Sequence, residues 1–334
     1  MSQGATILGT EGLRLGTDEK AFFREADPWG FILFARNIDT LDQVYALCSD
    51  LREAVGRDAL ITIDQEGGRV QRLRGPTWRE WAPPLDFVQA AGDDAPRAMY
   101  LRYRLIAAEL RALTIDSNCA PMVDLIVART HEFLRNRCYG SDTGAIAEIG
   151  RAVADGHLAG GVLPVLKHIP GHGRTLVDSH DSLPRVTDSL DTLRETDFAP
   201  FRALNDLPLG MTAHLAYEAV DDAPATLSRD MMDLIRTEIG FDGLIMTDDI
   251  GMKALSGRFA DITHRALAAG CDLMLHCNDT LADRMETANA AGALSDAAQI
   301  RADAALAARK TPDDIDIADL NAELEALLGD RLNV

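Results

Sequence analysis

The sequence predicts an α/β protein built as a (β/α)8 barrel, or TIM barrel, and three observations support that fold class. Eight short apolar segments of the 334-residue chain alternate with segments of helical periodicity. These apolar segments are nearly continuous, which is typical of parallel strands covered on both faces. Charged or imidazole side chains follow seven of the eight segments, and the active sites of such barrels lie at the carboxyl ends of the strands.

The predicted strands and helices follow each other along the chain. The strands are Ala5–Leu8, Gly30–Ala35, Ala59–Asp64, Ile115–Val123, Val162–His168, Gly210–His214, Leu244–Asp248 and Asp272–His276. The helical segments between them are Leu41–Val55, Ala95–Ala112, Ala145–Ala159, Leu190–Leu204, Ser228–Ile239 and Thr263–Ala269. Eight strands are the number that closes a barrel, and the chain has the usual length for one.

A doubly wound open sheet is the alternative architecture. Such a sheet usually has a Gly-rich turn after its first strand, but the corresponding turn here is GTEGLRLG, which is not a dinucleotide fingerprint. We expect one domain over residues 1–334, with the barrel over about 1–280. Residues 281–334 are rich in Ala, Asp and Leu with helical periodicity, and we expect them to form additional C-terminal helices that close the barrel exterior.

The composition of the chain limits which binding partners and which cellular compartment we expect. The chain has 33 basic and 53 acidic residues and a formal charge of −20, which makes nucleic acid and membrane surfaces poor partners. No stretch approaches the length of a membrane span, and the N-terminus does not resemble a secretory signal. The five cysteines lack a CxxC spacing, so free thiols in a reducing cytoplasm are expected. We therefore expect a cytoplasmic protein, and we also expect a monomer.

Polar side chains follow the predicted strands from the second to the eighth. They are Arg36 and Asn37, Asp64 to Arg69, Asp124, Lys167 and His168, His214, Asp248 and Asp249, and His276. A pocket lined by carboxylates, Arg, Lys and His suits a ligand rich in hydroxyl groups, which needs donors and acceptors on every side.

The densest polar stretch begins at Lys167 and leads to Asp178 and His180. Asp178 lies two residues before His180. This spacing lets the carboxylate form a hydrogen bond with the imidazole and set its tautomer and basicity. His180 is therefore a candidate general acid/base. A metal site is the competing interpretation, but His168 and His172 would form a ligand pair only on a helix, which Pro170 and Gly171 between them exclude. We expect no metal and no cofactor.

Asp248 is the candidate nucleophile. It ends an apolar strand, so its carboxylate would be held rigidly at the mouth of the barrel. A fixed carboxylate opposite a mobile acid/base suits retaining glycoside hydrolysis, in which one group attacks the anomeric carbon and the other protonates the leaving oxygen. Asp249 would point away and support its neighbour or cap a helix.

Five motifs together resemble the bacterial β-N-acetylglucosaminidases of glycoside hydrolase family 3. In chain order they are IDQEGGRVQRL, NCAPMVDL, RCYGSD, KHIPGHG-x4-DSH and MTDDIGM. The resemblance spans roughly Gly12 to Met252 and points to the compact, cytoplasmic, single-barrel members that act in peptidoglycan recycling. It implies an exo-acting retaining enzyme that removes a terminal N-acetylglucosamine from 1,6-anhydromuramyl peptides through a covalent glycosyl-enzyme intermediate.

The same resemblance implies roles for individual residues. Asp248 occupies the position of the nucleophile, His180 that of the acid/base, and Asp178 that of its partner carboxylate. The sugar-binding positions fall on Asp64, Arg72, Arg137, Lys167 and His168. A set of basic residues, namely Arg69, Arg72, Arg74, Arg137, Lys167 and Arg174, is expected around the pocket, so an anionic muropeptide could bind locally despite the overall negative charge.

Four other functions remain open from the sequence. A His acid/base does not repel phosphate as a carboxylate would, so the enzyme could be an N-acetylglucosaminide phosphorylase. A β-glucosidase of the same family is less favoured, because the Asp-Ser-His loop is typical of the N-acetylglucosaminidase branch. A metal-dependent barrel amidohydrolase and a catalytically silent carbohydrate-binding barrel are the remaining alternatives.

Overall fold

Eight parallel strands form one sheet in the computed structural model, which describes residues 3–175 and 183–331. We number them β1 (Gly4–Gly9), β2 (Pro28–Leu33), β3 (Leu60–Ile63), β4 (Ser117–Asn118), β5 (Leu163–Ile169), β6 (Leu209–Thr212), β7 (Leu244–Met246) and β8 (Met274–His276). From β1 to β7 each strand pairs with the next along the chain, and β1 also pairs with β8. A parallel bridge between Met246 and Leu273 closes the ring between β7 and β8. The predicted (β/α)8 barrel is confirmed.

Helices surround this sheet. They are α1 (Thr17–Ala26), α2 (Leu41–Val55), α3 (Pro84–Ala91), α4 (Ala95–Ala112), α5 (Glu132–Arg135), α6 (Thr143–Ala159), α7 (Leu190–Glu195), α8 (Phe198–Ala203), α9 (Arg229–Leu234), α10 (Phe259–Ala269), α11 (Leu281–Ala291), α12 (Asp296–Ala307) and α13 (Ile317–Leu328). The helix α11 packs against β1 and α10, α12 against β7, and α13 against α3 and α4. None of the helices in the described ranges has the length and apolar character that a bilayer span requires.

The helix α2 illustrates how the sequence specifies these elements. The Thr40 hydroxyl accepts a hydrogen bond from the backbone N–H of Gln43 at 3.2 Å, which caps the first turn. Gly56 ends the helix in the left-handed conformation, with a φ of 67°. The buried residues between these caps recur with helical spacing and include Val44, Leu47 and Leu51, so one face of the helix packs on the barrel.

The predicted strand Ile115–Val123 is much shorter in the structure, where β4 covers only Ser117–Asn118. The side chain of Asn118 replaces ladder bonds here, because its Oδ1 accepts from the N–H of Gln65 at 2.9 Å and its Nδ2 donates to the carbonyl of Gln65 at 3.1 Å. Pro121 has no N–H to continue the ladder.

The predicted helix Leu190–Leu204 is two helices, α7 and α8. The break falls at Thr196 and Asp197, whose side chains accept hydrogen bonds from Arg174 at 2.9 and 2.6 Å. The segment Ser228–Ile239 contains α9 followed by a wider π-type turn over Ile235–Ile239. Three further helices, α1, α3 and α5, were not predicted. The first of them is short and mostly polar on its exposed face.

Candidate active site

A cavity of about 240 Å³ opens at the carboxyl ends of the barrel strands. Its polar lining consists of Asp64, Arg69, Arg72, Arg137, Lys167, His168, Asp248, Asp249 and Asn278. Its apolar lining consists of Ile32, Phe34, Val70, Phe133, Met211, Met252, Leu275 and Cys277. The volume is below the roughly 300–1,000 Å³ typical of drug-sized sites, and it suits a single small unit such as one sugar ring.

Asp64 directly follows β3 and is held by two cations. Its Oδ1 accepts a hydrogen bond from Lys167 Nζ at 3.1 Å, and its Oδ2 accepts one from Arg72 Nη2 at 2.9 Å. Burial alone would raise the pKa of this carboxyl, but the charges of Lys167 and Arg72 outweigh burial and hold the pKa well below its usual range. Asp64 is therefore ionised and acts as an acceptor throughout the neutral range.

Arg72 reaches the cavity because the chain turns back after β3. Residues 65–67 and 70–71 form a short antiparallel hairpin. The side-chain oxygen of Gln65 accepts from the backbone N–H groups of Arg72 and Leu73 at 2.9 and 3.0 Å. Gly67 has a φ of 107°, and a Cβ at this position would lie 1.9 Å from Arg102 Nη2. This turn therefore requires glycine and brings Arg72 beside Asp64.

Glu66 is a site residue that the sequence analysis did not select. It is 1% exposed, and it accepts hydrogen bonds from Arg137 Nε at 2.9 Å and Arg137 Nη2 at 2.7 Å. Lys167 Nζ lies 2.6 Å from its Oε1. Burial would raise the pKa of Glu66, but Arg137 and Lys167 outweigh it and lower the pKa to about 2. The signal in the sequence was its i, i+2 spacing from Asp64, which places alternate residues of an extended chain on one side.

Lys167 and His168 come from the end of β5. Burial alone would lower the pKa of the Lys167 ammonium, but the negative charges of Glu66 and Asp64 outweigh burial and raise the pKa above its ordinary value. His168 Nδ1 lies 2.7 Å from Asp124 Oδ2. The other oxygen of Asp124 accepts the backbone N–H of His172 at 2.6 Å. Asp124 therefore fixes both the imidazole ring of His168 and the start of the loop that follows β5.

Asp248 follows β7 and lines the cavity with Asp249 beside it. The Oδ1 of Asp248 accepts the backbone N–H of Asp249 at 2.8 Å. Burial would raise the pKa of Asp248, but the neighbouring imidazoles of His168 and His214 outweigh burial and lower it. An ionised carboxylate that is partly buried beside a small cavity can attack an electrophilic carbon.

Several polar residues predicted near the pocket have other partners. Arg174 is buried against Asp188 and Asp197, and Arg74 is exposed and paired with Glu80. Both were wrongly expected at the pocket. His276 contacts Thr287 and Asp279 and does not line the cavity.

The predicted acid/base His180 and its partner Asp178 lie outside the described residues. Six of the eight predicted site residues fall within the described ranges and line one cavity: Asp64, Arg72, Arg137, Lys167, His168 and Asp248. Across residues 3–175 and 183–331, no group of three His, Cys, Asp or Glu side chains has an arrangement suited to a metal ion. The arrangement offers one fixed carboxylate and a dense set of charged groups that can grip hydroxyls.

Comparison with known proteins gives this geometry a family context. Residues 14–307 match the family described as the glycosyl hydrolase family 3 N terminal domain. A β-hexosaminidase of Tolumonas auensis is 36% identical over 284 residues, which cover 83% of this chain and 83% of that protein. A β-hexosaminidase of Pseudomonas aeruginosa is 37% identical with the same coverage.

Solved structures show the same relationship. The structure of native NagZ from Neisseria gonorrhoeae superposes with a TM-score of 0.84 and 28% identity, covering 98% of this chain and 96% of that one. The same enzyme in complex with N-trifluoroacetyl-D-glucosamine has a TM-score of 0.84 and covers 98% of this chain and 99% of that one, also at 28% identity. A family 3 β-N-acetylglucosaminidase from Paenibacillus has a TM-score of 0.79 at 30% identity, covering 99% of this chain and 62% of that one.

Proposed function

The chain belongs to glycosyl hydrolase family 3 and is a glycoside hydrolase, and we propose that it is a retaining exo-β-N-acetylglucosaminidase. The observation that carries the proposal is Asp248, an ionised carboxylate that lines a sugar-sized cavity together with Asp64 and Lys167. The names of the relatives and the glucosamine derivative bound to the Neisseria enzyme support the N-acetylglucosamine specificity.

In the proposed reaction, a carboxylate oxygen of Asp248 attacks the anomeric carbon and forms a glycosyl ester. The bond to the leaving oxygen breaks at the same time, and His180, oriented by Asp178, supplies the proton to that oxygen. In the second half, His180 takes a proton from water, and the water oxygen attacks the anomeric carbon and releases Asp248. The sugar leaves with its original β configuration.

The buried charges fix the sugar for this reaction. We propose that Asp64, Arg72, Lys167, His168 and Arg137 hold the ring hydroxyls. Hydrogen bonds to one another, to Glu66 or to Asp124 hold these side chains before the ligand arrives, so little reorganisation accompanies binding. An oxocarbenium-like transition state depends on this kind of prior positioning.

The first test replaces the nucleophile. Asp248→Ala should lower turnover of an aryl β-N-acetylglucosaminide by about 10³-fold or more, because a variant without the carboxylate cannot form the glycosyl ester. Asp155→Ala is the matched control, since Asp155 is exposed on α6. Activity of Asp248→Ala close to that of the control would contradict the assignment.

A second test addresses the acid/base. His180→Ala should slow substrates with poor leaving groups far more than activated aryl substrates, because activated leaving groups need little protonation. Equal losses for both classes of substrate would argue against this role for His180. Repeating the wild-type assay with phosphate, and analysing for a sugar 1-phosphate, distinguishes hydrolysis from phosphorolysis.

We further propose that the natural substrates are N-acetylglucosaminyl-1,6-anhydromuramyl peptides and that the enzyme works in cytoplasmic peptidoglycan recycling. The cationic side chains of Arg69 and Arg72, which both line the cavity, support an anionic aglycone, although the whole chain carries a charge of −20. The test compares kcat/KM for such a muropeptide with kcat/KM for chitobiose. A preference for chitobiose would overturn the substrate proposal and leave the retaining mechanism standing.

A further inference from the structure

β7 and β8 are joined by backbone hydrogen bonds that do not form a regular ladder. Within the described residues, the bridge between Met246 and Leu273 is isolated and lies outside any ladder of these two strands. Other neighbours, such as β2 and β3, are joined over a register of four residue pairs. The nucleophile Asp248 follows β7 and stands at this junction, between Thr247 and Ile250, whose backbone N–H groups donate to the carbonyls of Leu273 and Leu275 at 3.0 Å.

The side chain of Asp249 forms hydrogen bonds across the β7–β8 junction. Its Oδ1 accepts the backbone N–H of Cys277 at 3.1 Å, beyond the end of β8, and also that of Gly251 at 3.1 Å. Its Oδ2 accepts from Asn278 Nδ2 at 3.1 Å. The side chain is nearly buried, at 9% exposure, so both strand ends converge on one carboxylate.

The hydrogen bonds continue from Asn278 to the neighbouring strands. Asn278 Oδ1 accepts from Arg36 Nη1 at 2.7 Å. The same guanidinium donates to the carbonyl of Cys277 at 2.6 Å and to the carbonyl of Thr10 at 2.9 Å. Arg36 follows β2 and Thr10 follows β1, so an unbroken chain of hydrogen bonds connects the carboxyl ends of β7, β8, β1 and β2.

We propose that Asp249 is a positioning residue that holds the nucleophile Asp248 through this chain of hydrogen bonds. The proposal rests on the proposed function, because it assumes that Asp248 attacks the sugar. Asp249 also donates its own N–H to Asp248 Oδ1 at 2.8 Å. The proposed sugar-binding groups Asp64, which follows β3, and Lys167, which lies on β5, belong to other strands than the two at this junction. A displaced nucleophile should therefore reduce kcat while the sugar still binds.

Each side chain in this chain of hydrogen bonds has a fixed role as donor or acceptor, so a substitution that turns an acceptor into a donor disrupts it. Arg36 only donates, the amide of Asn278 accepts on one side and donates on the other, and Asp249 only accepts. In Asp249→Asn, the new amide nitrogen faces Asn278 Nδ2. Rotating the Asn278 amide would correct that contact but would place its nitrogen against the guanidinium of Arg36. One donor–donor contact remains in either orientation.

The double variant Asp249→Asn/Asn278→Asp removes the conflict. The carboxylate at position 278 accepts from Arg36 and from the new amide at position 249. The amide oxygen at position 249 still accepts the N–H groups of Gly251 and Cys277. The single variant Asn278→Asp, in contrast, places two carboxylates side by side, which is unfavourable for like charges.

The experiment measures kcat, KM and the melting temperature Tm for the wild type, both single variants and the double variant, with an aryl β-N-acetylglucosaminide. We expect kcat to fall about 10- to 100-fold in each single variant, with KM changed less than about threefold, and to recover to within about threefold of the wild type in the double variant. A double variant as slow as the single variants would overturn the proposal. A rise in KM at unchanged kcat would also overturn it, because Asp249 would then bind the sugar directly.

The control is Asp272→Asn, which weakens the same junction at the opposite end of the barrel. Asp272 Oδ2 accepts the N–H of Ile245 at 2.9 Å and a bond from Arg236 Nη2 at 2.8 Å. This variant should lower Tm but leave kcat within about twofold. An equal loss of kcat in Asp272→Asn would show a general effect of stability and overturn the positioning role. An inactive wild type would overturn the proposed function itself, whereas an active wild type with an unchanged Asp249→Asn would overturn only the positioning role.

Discussion

Lys167 lies between two carboxylates, 3.1 Å from Asp64 and 2.6 Å from Glu66. Arg137 pairs with Glu66 through two nitrogens, and Arg72 pairs with Asp64. Buried charges are stable only when each has a partner, and removing one partner is costly because the other remains buried without compensation. Glu66 is the carboxylate on which both Arg137 and Lys167 depend, although the resemblance to family 3 did not assign it a role.

Glu66→Gln should therefore weaken both binding and stability. The amide cannot balance two cations, so we expect KM for an aryl β-N-acetylglucosaminide to rise about tenfold and the free energy of unfolding to fall by about 3 kcal/mol. Steady-state kinetics and urea unfolding measure the two effects. Glu80→Gln, at an exposed pair with Arg74, should change neither quantity. Wild-type KM and stability in Glu66→Gln would show that the network does not hold the sugar-binding cations.

At the scale of elements, the loops that follow β4 and β5 are interlocked. A Cβ on Gly173 would lie 1.7 Å from the carbonyl oxygen of Leu125. The Thr130 hydroxyl donates to the carbonyl of Gly173 at 2.6 Å, and Asp124 accepts the N–H of His172. The segment that continues to the proposed acid/base His180 therefore leaves the barrel from a fixed junction.

Gly173→Ala should disturb this junction. The added methyl group meets backbone that cannot move aside, so we expect the free energy of unfolding to fall by about 1–3 kcal/mol. We also expect kcat to decrease for substrates with poor leaving groups, because the proposed acid/base His180 follows this junction along the chain. Gly16→Ala is the control, since Gly16 has a φ of −73° and its Cβ would contact nothing within 4 Å. A Gly173→Ala variant as stable as the control would contradict this account.

Periodicity predicted the barrel well because parallel strands and their covering helices are encoded locally. Periodicity did not predict the ends of elements correctly where side-chain hydrogen bonds take the place of backbone hydrogen bonds. Asn118 bonds the backbone of Gln65 and shortens β4, and Arg174 binds Thr196 and Asp197 where a continuous helix was expected. The sequence shows these residues but not their distant partners. For the same reason Glu66 was missed, since its role depends on Arg137, which lies 71 positions away.

At the scale of the whole molecule, buried imidazoles make the fold sensitive to acid. Burial lowers the pKa of His157 to about 3 and, with the charge of His168, the pKa of His172 to about 4. Burial also lowers the pKa of His214. Because these pKa values are lower in the folded state than the ordinary 6.5, the unfolded chain binds more protons as the pH falls below 6.5. The stability present above pH 6.5 is therefore lost progressively towards pH 3.

His157→Gln should make stability less dependent on pH. Each such histidine contributes at most about 1.4 kcal/mol per pH unit to the slope of unfolding free energy. Urea unfolding between pH 7 and pH 5 measures this slope. We expect the slope of the variant to be smaller than that of the wild type by at most the contribution of one histidine, whatever the absolute stability of the variant. The same change at His264, which is exposed on α10, is the control. An unchanged slope in His157→Gln would show that His157 takes up its proton in the folded protein as well.

The proposed mechanism depends above all on a covalent bond between Asp248 and the sugar. A 5-fluoro N-acetylglucosaminyl fluoride slows both steps but keeps a good leaving group, so the glycosyl-enzyme should accumulate. Peptide mass spectrometry after proteolysis then identifies the modified residue. We predict one added fluoro-N-acetylglucosaminyl unit on the peptide that contains Asp248, and none in Asp248→Ala. A label on any other residue, or no label on an enzyme that the compound inactivates, would contradict the account.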